Sequence, residues 1–316
     1  MNLFEFFRGN YLVGAPLAGI TNYPFRKIVR KYHSGLIFTE MVSVEGLKRG
    51  NKKSVKLIDI HPDERNVGIQ LFGGEPESYI GAVKFLNDNY SPFCIDINIG
   101  CPVKKVLKSK AGAYLLTDLK RLESIVKTAV KNSRFPVSVK TRVGWDDKNH
   151  VYKEVLKICE GEGVSFITIH GRTKSQMYGC KVGYNSIAEM KSLARVPVIG
   201  NGDVVDLESF ELMKRTGVDG IMIGRGMMKS PWIFDAITKG FDPVGYLSGN
   251  EIVGLLDEFL QEWKLFRNSE RYLEAFKKFV VWFSKGYRNS AEFRNRIYSE
   301  LDESELMKEY RYFYTK

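Results

Sequence analysis

The chain has 316 residues, of which 44% are hydrophobic and 13% aromatic, so it can form a large core and is not intrinsically disordered. Its formal net charge of +11 favours a polyanionic partner such as nucleic acid, although lysines that serve only solubility would give the same sum. No segment approaches the roughly 18 consecutive apolar residues of a membrane span, and the four cysteines form no C-x-x-C pair. We expect a soluble, cytoplasmic monomer that binds no metal.

Eight short apolar segments recur along the chain, each followed by a turn and a stretch with helical periodicity. This alternation predicts an α/β fold with a parallel sheet. Eight parallel strands with helical crossovers close most economically into a (β/α)8 TIM barrel, which places catalytic groups at the carboxyl ends of its strands. The predicted strands span residues 11–15, 36–39, 67–71, 93–97, 137–140, 166–169, 198–199 and 220–223.

The composition changes near Gly240, which together with the following FDPVGYLSGN supplies one proline and three glycines. The residues beyond it have helical periodicity. We therefore predict a catalytic barrel over residues 1–240 and a small all-helical domain over residues 241–316. Within this tail, residues 264–296 carry nine Lys and Arg against three Asp and Glu.

The segment DINIGCP, residues 96–102, ends the fourth predicted strand and places Cys101 at the mouth of the barrel. A free cysteine is most often only a small buried hydrophobic residue. The loop that follows, residues 103–117, carries four lysines and no acidic residue. Such a loop is commonly a solvated turn, but beside a cysteine at a strand end we interpret it as a clamp for a polyanion.

Other strand ends carry side chains that can bind a planar heterocycle, namely Gln70, Lys140 and His170. Each has a structural alternative: a buried amide, a cation paired in the barrel, or a hydrogen-bonded core imidazole. The last two predicted strands end in IGNGD and IGRG, and a barrel often binds phosphate at these two positions. Neither motif is G-x-G-x-x-G, so a phosphate-bearing flavin fits better than a resident nicotinamide nucleotide.

Several motifs together resemble the tRNA-dihydrouridine synthases across about residues 10–240. They are APLAGITNYPFR, IQLFG, DINIGCP, VKTRVGW, IHGRT, IGNGD and IGRG. The resemblance implies bound FMN, NADPH or NADH as the reductant with NADPH favoured, and reduction of the C5=C6 bond of uridines in tRNA.

The resemblance also implies roles for individual residues, with Cys101 as the proton donor. Around the flavin ring we expect Pro16, Leu17, Ala18, Gln70, Lys140 and His170. The flavin phosphate would be held by Gly200, Asn201, Gly202, Gly224 and Arg225. The RNA would be faced by Asn98, Lys104, Lys105, Arg142, Arg172 and Lys174. Leu17 stands where many members have methionine, a change that conserves volume.

The helical tail would orient the RNA, with Trp145 of the barrel as a further stacking surface. The aromatic residues of the basic stretch and its start are Trp263, Phe266, Tyr272, Phe276, Trp282 and Tyr287. Most of them are expected in the core, because helices bury aromatic residues at such spacing more often than they expose them.

Three other functions remain open from the residues alone. A flavin barrel acting on a free pyrimidine, of the dihydroorotate dehydrogenase type, would also use FMN and a loop cysteine, but would not need the lysines or the tail. An aldolase would form a Schiff base at Lys140 and bind substrate phosphate in the glycine loops. A simple RNA-binding module would not require Cys101 and Gln70 at strand ends.

Overall fold

The computed structural model describes residues 2–267, 272–299 and 301–316. The chain forms two compact units. The first comprises Met1–Asn22, Ser34–Val204 and Ser209–Gly224, and the second comprises Tyr23–His33, Val205–Glu208 and Arg225–Lys316. The second unit therefore takes in residues from before position 241. The division into a catalytic domain and an RNA-binding domain at residue 240 stays a prediction.

The first unit is built on a parallel sheet. Its strands are β1 (Leu12–Gly14), β2 (Ile37–Phe38), β3 (Val42–Ser43), β4 (Val67–Phe72), β5 (Cys94–Asn98), β6 (Val137–Arg142), β7 (Phe166–His170), β8 (Val198–Asn201) and β9 (Gly220–Ile223). Strand β1 pairs with β9 and β2, and β2 pairs with β4, which closes an eight-stranded barrel. The predicted TIM barrel and its eight strands are confirmed. Strand β3 was not predicted, because two residues carry no periodicity.

Helices connect the strands and form the second unit. They are α1 (Leu3–Gly9), α2 (Tyr23–Arg30), α3 (Val44–Lys48), α4 (Lys52–Lys56), α5 (Pro76–Asn89), α6 (Lys104–Lys108), α7 (Leu119–Asn132), α8 (Tyr152–Gly161), α9 (Tyr184–Leu193), α10 (Leu207–Lys214), α11 (Arg225–Lys229), α12 (Ile233–Thr238), α13 (Gly249–Arg267), α14 (Tyr272–Phe283), α15 (Ser290–Ile297) and α16 (Glu303–Thr315). Helices α13 to α16 confirm the predicted helical tail. In the part of the chain that the structure describes, no helix combines the length and the apolar character of a membrane span.

The barrel interior changes from apolar to polar along the strands. At the amino ends, Phe7 of α1 packs against Phe166 with 5.2 Å between ring centroids, in one cluster with Cys94, Ile199 and Met222. Towards the carboxyl ends, the strands carry buried amide, carboxylate and imidazole side chains and the half-buried Lys140. The apolar half provides burial and the polar half lies where a TIM barrel carries out its chemistry.

The second unit is held together by aromatic packing. Phe259 of α13 is fully buried, and its ring lies 4.7 Å from that of Phe279 and 5.3 Å from that of Phe276 on α14. Trp263 is also fully buried and lies 5.1 Å from Phe279. Of the six aromatic residues named in the sequence, only Trp263 and Phe276 are buried. The other four are half-buried, so the expectation that most of them are core holds for two. Residues 268–271 of the basic stretch lie outside the described residues.

Candidate active site

Register aligns the polar side chains of neighbouring strands into layers inside the barrel. Gln70, Asp96 and Ser138 are Cα partners across β4, β5 and β6. One step nearer the carboxyl ends, Asn98 pairs with Lys140. Because partners in register point to the same face, the barrel brings into one place residues that are far apart in sequence.

Asn201 links the lysine and the histidine of the upper layer. Its Oδ1 accepts a hydrogen bond from Lys140 Nζ at 3.0 Å and lies 3.0 Å from His170 Nδ1, while its Nδ2 donates to the Met222 carbonyl at 2.8 Å. The bond to the carbonyl fixes the amide orientation, so Asn201 Oδ1 is an acceptor and His170 Nδ1 must carry the proton.

His170 then presents an unprotonated Nε2. Burial lowers the pKa of His170 well below its ordinary value, and the nearby charges of Lys140 and Arg142 lower it further, so the ring is neutral. The Nε2 atom is buried and finds no hydrogen-bond partner among the described residues. Buried acceptors of this kind are normally satisfied, so a donor from a bound molecule fits this position.

Lys140 is a cation with a reduced proton affinity. Burial, followed by repulsion from Arg142, lowers its pKa to about 8, and Asp96 partly opposes this change. At neutral pH most Lys140 side chains are still in the charged ammonium form. A positive charge in a largely desolvated layer attracts an electron-rich or anionic ligand strongly.

The predicted phosphate loop needs glycine at position 202. Gly202 has φ +140°, and a Cβ atom there would lie 2.8 Å from Val182 Cγ2. Residues other than glycine rarely adopt such a backbone conformation. At Gly224, a Cβ atom would meet Ala15 Cβ at an ordinary 3.6 Å, so packing does not require glycine there. Arg225 begins α11 in the second unit.

The backbone of Cys101 is held on two sides. Asn98 Oδ1 accepts hydrogen bonds from the N–H groups of Gly100 at 3.1 Å and Cys101 at 2.9 Å. On the other side, the N–H of Ala113 donates to the Cys101 carbonyl at 3.0 Å. Gly112, with φ +62°, lets this segment approach, since a Cβ atom there would lie 2.8 Å from that carbonyl oxygen.

The Cys101 thiol is partly buried and stays protonated at neutral pH. Burial raises its pKa, and this outweighs a hydrogen bond with the backbone of Val103 and the attraction of Arg142 and Lys140 for the thiolate. A group of this kind is a poor nucleophile but holds a proton that it can transfer.

The lysine-rich segment after Cys101 is not the loop that we predicted. Residues 104–108 form helix α6, and Gly112–Thr117 is a 3-10 helix. The buried Val106 anchors α6, and Lys110 has φ +52°. Lys104, Lys105 and Lys108 are exposed on α6, and Lys110 is exposed two residues after its end. The segment is ordered, and it directs its positive charges to solvent.

The two arginines predicted to face RNA are buried and bonded within the protein. Arg142, 4% exposed, donates to the carbonyls of Gly100, Thr173 and Met177 at 2.8, 2.9 and 3.1 Å. Arg172, 2% exposed, binds both carboxylate oxygens of Asp203 and the Cys180 carbonyl. Both guanidinium groups tie the segment after β7 to the strand ends.

The remaining predicted residues vary in exposure. Asn98 is buried, whereas Lys174 is half-buried, with its Nζ 4.1 Å from the centroid of the Trp145 ring. In the first loop, Pro16 and Leu17 are half-buried and Ala18 is exposed. The hydroxyl of Thr21 accepts a hydrogen bond from the Leu17 N–H at 3.0 Å and shapes this loop.

The sequence interpretation missed Asp96 as part of the site. Asp96 is 1% exposed, and its carboxylate accepts hydrogen bonds from Gln70 Nε2 and Ser138 Oγ, both at 2.7 Å. Burial raises its pKa to about 6 despite these bonds and despite Lys140. The signal was present, because Asp96 and Asn98 alternate with isoleucines and must share one face of the strand.

A barrel with amide, cationic and thiol groups gathered at its strand ends belongs to the class of TIM-barrel enzymes. The family model described as dihydrouridine synthase matches residues 13–313. The tRNA-dihydrouridine synthase B of Pasteurella multocida is 33% identical over 302 residues, covering 94% of this chain and 91% of that protein. A probable tRNA-dihydrouridine synthase of Rickettsia prowazekii is 32% identical over 285 residues, covering 89% and 87%. The chain belongs to the dihydrouridine synthase family and is an oxidoreductase, which confirms the resemblance.

A solved structure shares the barrel at much lower identity. The old yellow enzyme from Trypanosoma cruzi aligns with a TM-score of 0.53 at 10% identity, covering 73% of this chain and 89% of that one. This likeness shows the fold alone.

Proposed function

We propose that this chain reduces the C5=C6 bond of uridines in tRNA, with FMN bound at the barrel mouth, NADPH as reductant and Cys101 as the proton donor. One observation carries this proposal: a protonated thiol and a cationic amide-imidazole cluster lie at the same carboxyl end of the barrel. A thiol kept neutral suits an acid better than a nucleophile.

The residues at the mouth fit a flavin. The unpaired Nε2 of His170 and the cation of Lys140 offer an acceptor and a charged donor to a planar heterocycle. The ring would be held by Pro16, Leu17, Ala18, Gln70, Lys140 and His170. The phosphate would be held by Gly200, Asn201, Gly202 and Gly224, with Arg225 added from the sequence alone. When bound, FMN supplies the hydride that adds to C6 of the uracil.

Cys101 completes the addition of two hydrogens by giving its proton to C5. The thiol becomes a thiolate, and the charges of Arg142 and Lys140 favour that anion. Reprotonation from solvent restores the acid. Because the acid must be protonated before the step, the rate should fall as the pH rises through the raised pKa of Cys101.

RNA would be held by charges outside the barrel interior. Lys104 and Lys105 are exposed beside Cys101, and Lys174 lies over Trp145. We keep Asn98, Arg142 and Arg172 as proposed RNA-facing residues, with the condition that contact requires exchange of their present hydrogen bonds. The domain over residues 241–316 is proposed to bind tRNA. We further propose a cytoplasmic monomer that needs no metal.

The test separates two half-reactions in Cys101→Ala, with Cys180→Ala as the control for an exposed cysteine. Rapid mixing with NADPH measures flavin reduction, and nucleoside analysis of unmodified tRNA measures dihydrouridine. We expect unchanged flavin reduction and a loss of dihydrouridine formation of about 100-fold or more. A normal rate of dihydrouridine formation in Cys101→Ala would show that the proton comes from another group.

A further inference from the structure

A continuous chain of hydrogen bonds runs from the barrel interior to the backbone of Cys101. Gln70 Nε2 donates to Asp96 Oδ2 at 2.7 Å, and Asn98 Nδ2 donates to Gln70 Oε1 at 2.8 Å. Asn98 Oδ1 then accepts the N–H groups of Gly100 and Cys101. All three side chains are at most 8% exposed, so water offers little substitute for any of these bonds.

The two ends of this chain fix the direction of every bond in it. An ionised carboxylate only accepts hydrogen bonds, so Gln70 must turn its NH2 group towards Asp96 and its oxygen towards Asn98. Backbone N–H groups only donate, so Asn98 must turn its oxygen towards Gly100 and Cys101. The two requirements agree, so each side-chain amide has only one orientation in which all of these hydrogen bonds form.

The surroundings make Asp96 the fixed end. Ser138 Oγ donates to its second oxygen at 2.7 Å, and the charge of Lys140 favours its ionised form. Among the described residues, the thiols of Cys94 and Cys159 and the phenol of Tyr79 also interact with it. Each has a pKa raised by burial and is therefore neutral. In such a low-dielectric site, the loss of one member leaves the next amide free to turn.

We propose that Asp96 is a positioning residue: through Gln70 and Asn98, it fixes the turn from which Cys101 presents its thiol. The hydrogen bonds of the carboxylate go to Gln70 and Ser138, so it acts on Cys101 only through other residues. The functional part of this inference rests on the proposed role of Cys101 as the acid, whereas the orientation of the turn does not. The two parts can therefore be tested separately.

The first readout is amide hydrogen exchange at Gly100 and Cys101 in the flavin-loaded protein. Asp96→Leu removes the acceptor at a similar volume, and we expect exchange at these two N–H groups to accelerate about tenfold, as for the loss of one hydrogen bond. Asp96→Asn keeps one acceptor oxygen and should restore most of the protection. Thr168→Val is the matched control, because its buried hydroxyl has no hydrogen-bond partner in the described part of the chain.

The second readout is the rate of dihydrouridine formation on unmodified tRNA. We expect kcat to fall in Asp96→Leu and to recover in Asp96→Asn. Unaltered exchange at Gly100 and Cys101 in Asp96→Leu would show that Asp96 does not fix this turn, whether or not Cys101 is the proton donor. Faster exchange with an unaltered kcat would overturn the positioning role. Should Asp96→Leu not fold, Gln70→Met cuts the next bond and is held to the hydrogen-exchange outcome alone, because Gln70 is itself proposed to bind the flavin.

Discussion

The two units of the chain place their polar side chains in opposite ways. The barrel buries Gln70, Asp96 and Asn201. Gln70 donates a hydrogen bond to Asp96, and Asn201 donates one to the Met222 carbonyl. The helical unit pairs charges at or near its surface, as in Lys27 with Glu262 and Arg311 with Asp257. Its buried residues are mostly apolar and aromatic, with few exceptions such as Lys277.

This difference identifies the site without reference to any ligand. A buried polar group costs free energy unless its partners are arranged in advance, whereas a surface ion pair costs and contributes little. A fold keeps an expensive polar layer where chemistry needs it. The helical unit has no such layer among its described residues, so its stability rests on aromatic packing.

The largest expected effect breaks that packing in the helical unit. Phe259→Ala should lower the free energy of unfolding by about 3–5 kcal/mol, because the ring is fully buried among other aromatic rings and its loss leaves a cavity. Urea unfolding followed by tryptophan fluorescence measures it. Leu265→Ala on the same helix, at a residue 78% exposed, should change stability by about 0.5 kcal/mol or less. Equal effects would refute the aromatic core.

The next effect concerns the buried ion pair of the barrel. Arg172→Ala removes the hydrogen bonds from this guanidinium group to Asp203 and to the Cys180 carbonyl, and we expect the free energy of unfolding to fall by up to about 3 kcal/mol. The partial exposure of Asp203 keeps the value at the lower end for such pairs. Urea unfolding measures the loss, and proteolysis of the segment after β7 should become faster. An unchanged midpoint would mean that Arg172 is not structural and is available for RNA.

A smaller effect is expected when two exposed positive charges at the barrel mouth are removed without disturbing the fold. Replacing Lys104 and Lys105 together by alanine should weaken tRNA binding and lower the slope of log affinity against log salt by about 1.5, since two phosphate contacts are lost. Lys120 and Lys127, exposed on α7, provide a control with the same change of charge. Filter binding at several salt concentrations measures both. Equal slopes in the two variants would place the RNA elsewhere.

The smallest effect is expected for the exposed pair of the helical unit. Arg311 lies 2.6 Å from Asp257, with side-chain exposures of 49% and 30%. Arg311→Ala should cost about 0.5 kcal/mol or less in urea unfolding. A cost as large as that of Arg172→Ala would remove the contrast between the two units.

The sequence predicted the barrel well, because strand residues such as those of β5 and β7 are apolar runs followed by turn signals. It located Cys101, Gln70, Lys140, His170 and Asn201 near one another, since strand ends meet at one side of a barrel. It could not show that Arg142 and Arg172 are buried, because their carbonyl partners are set by the path of a loop. Helix α6 escaped prediction because five residues give too short a pattern.

The most direct test of the central claim, that the polar layer of the barrel is a flavin site, is the visible absorption spectrum of the purified protein. We predict the spectrum of an oxidised flavin, the release of FMN on denaturation in a ratio near one per chain, and bleaching by NADPH in the absence of oxygen. A colourless protein that takes up no FMN on reconstitution would contradict the account, and trapping of a carbonyl substrate on Lys140 by borohydride would then support the aldolase alternative.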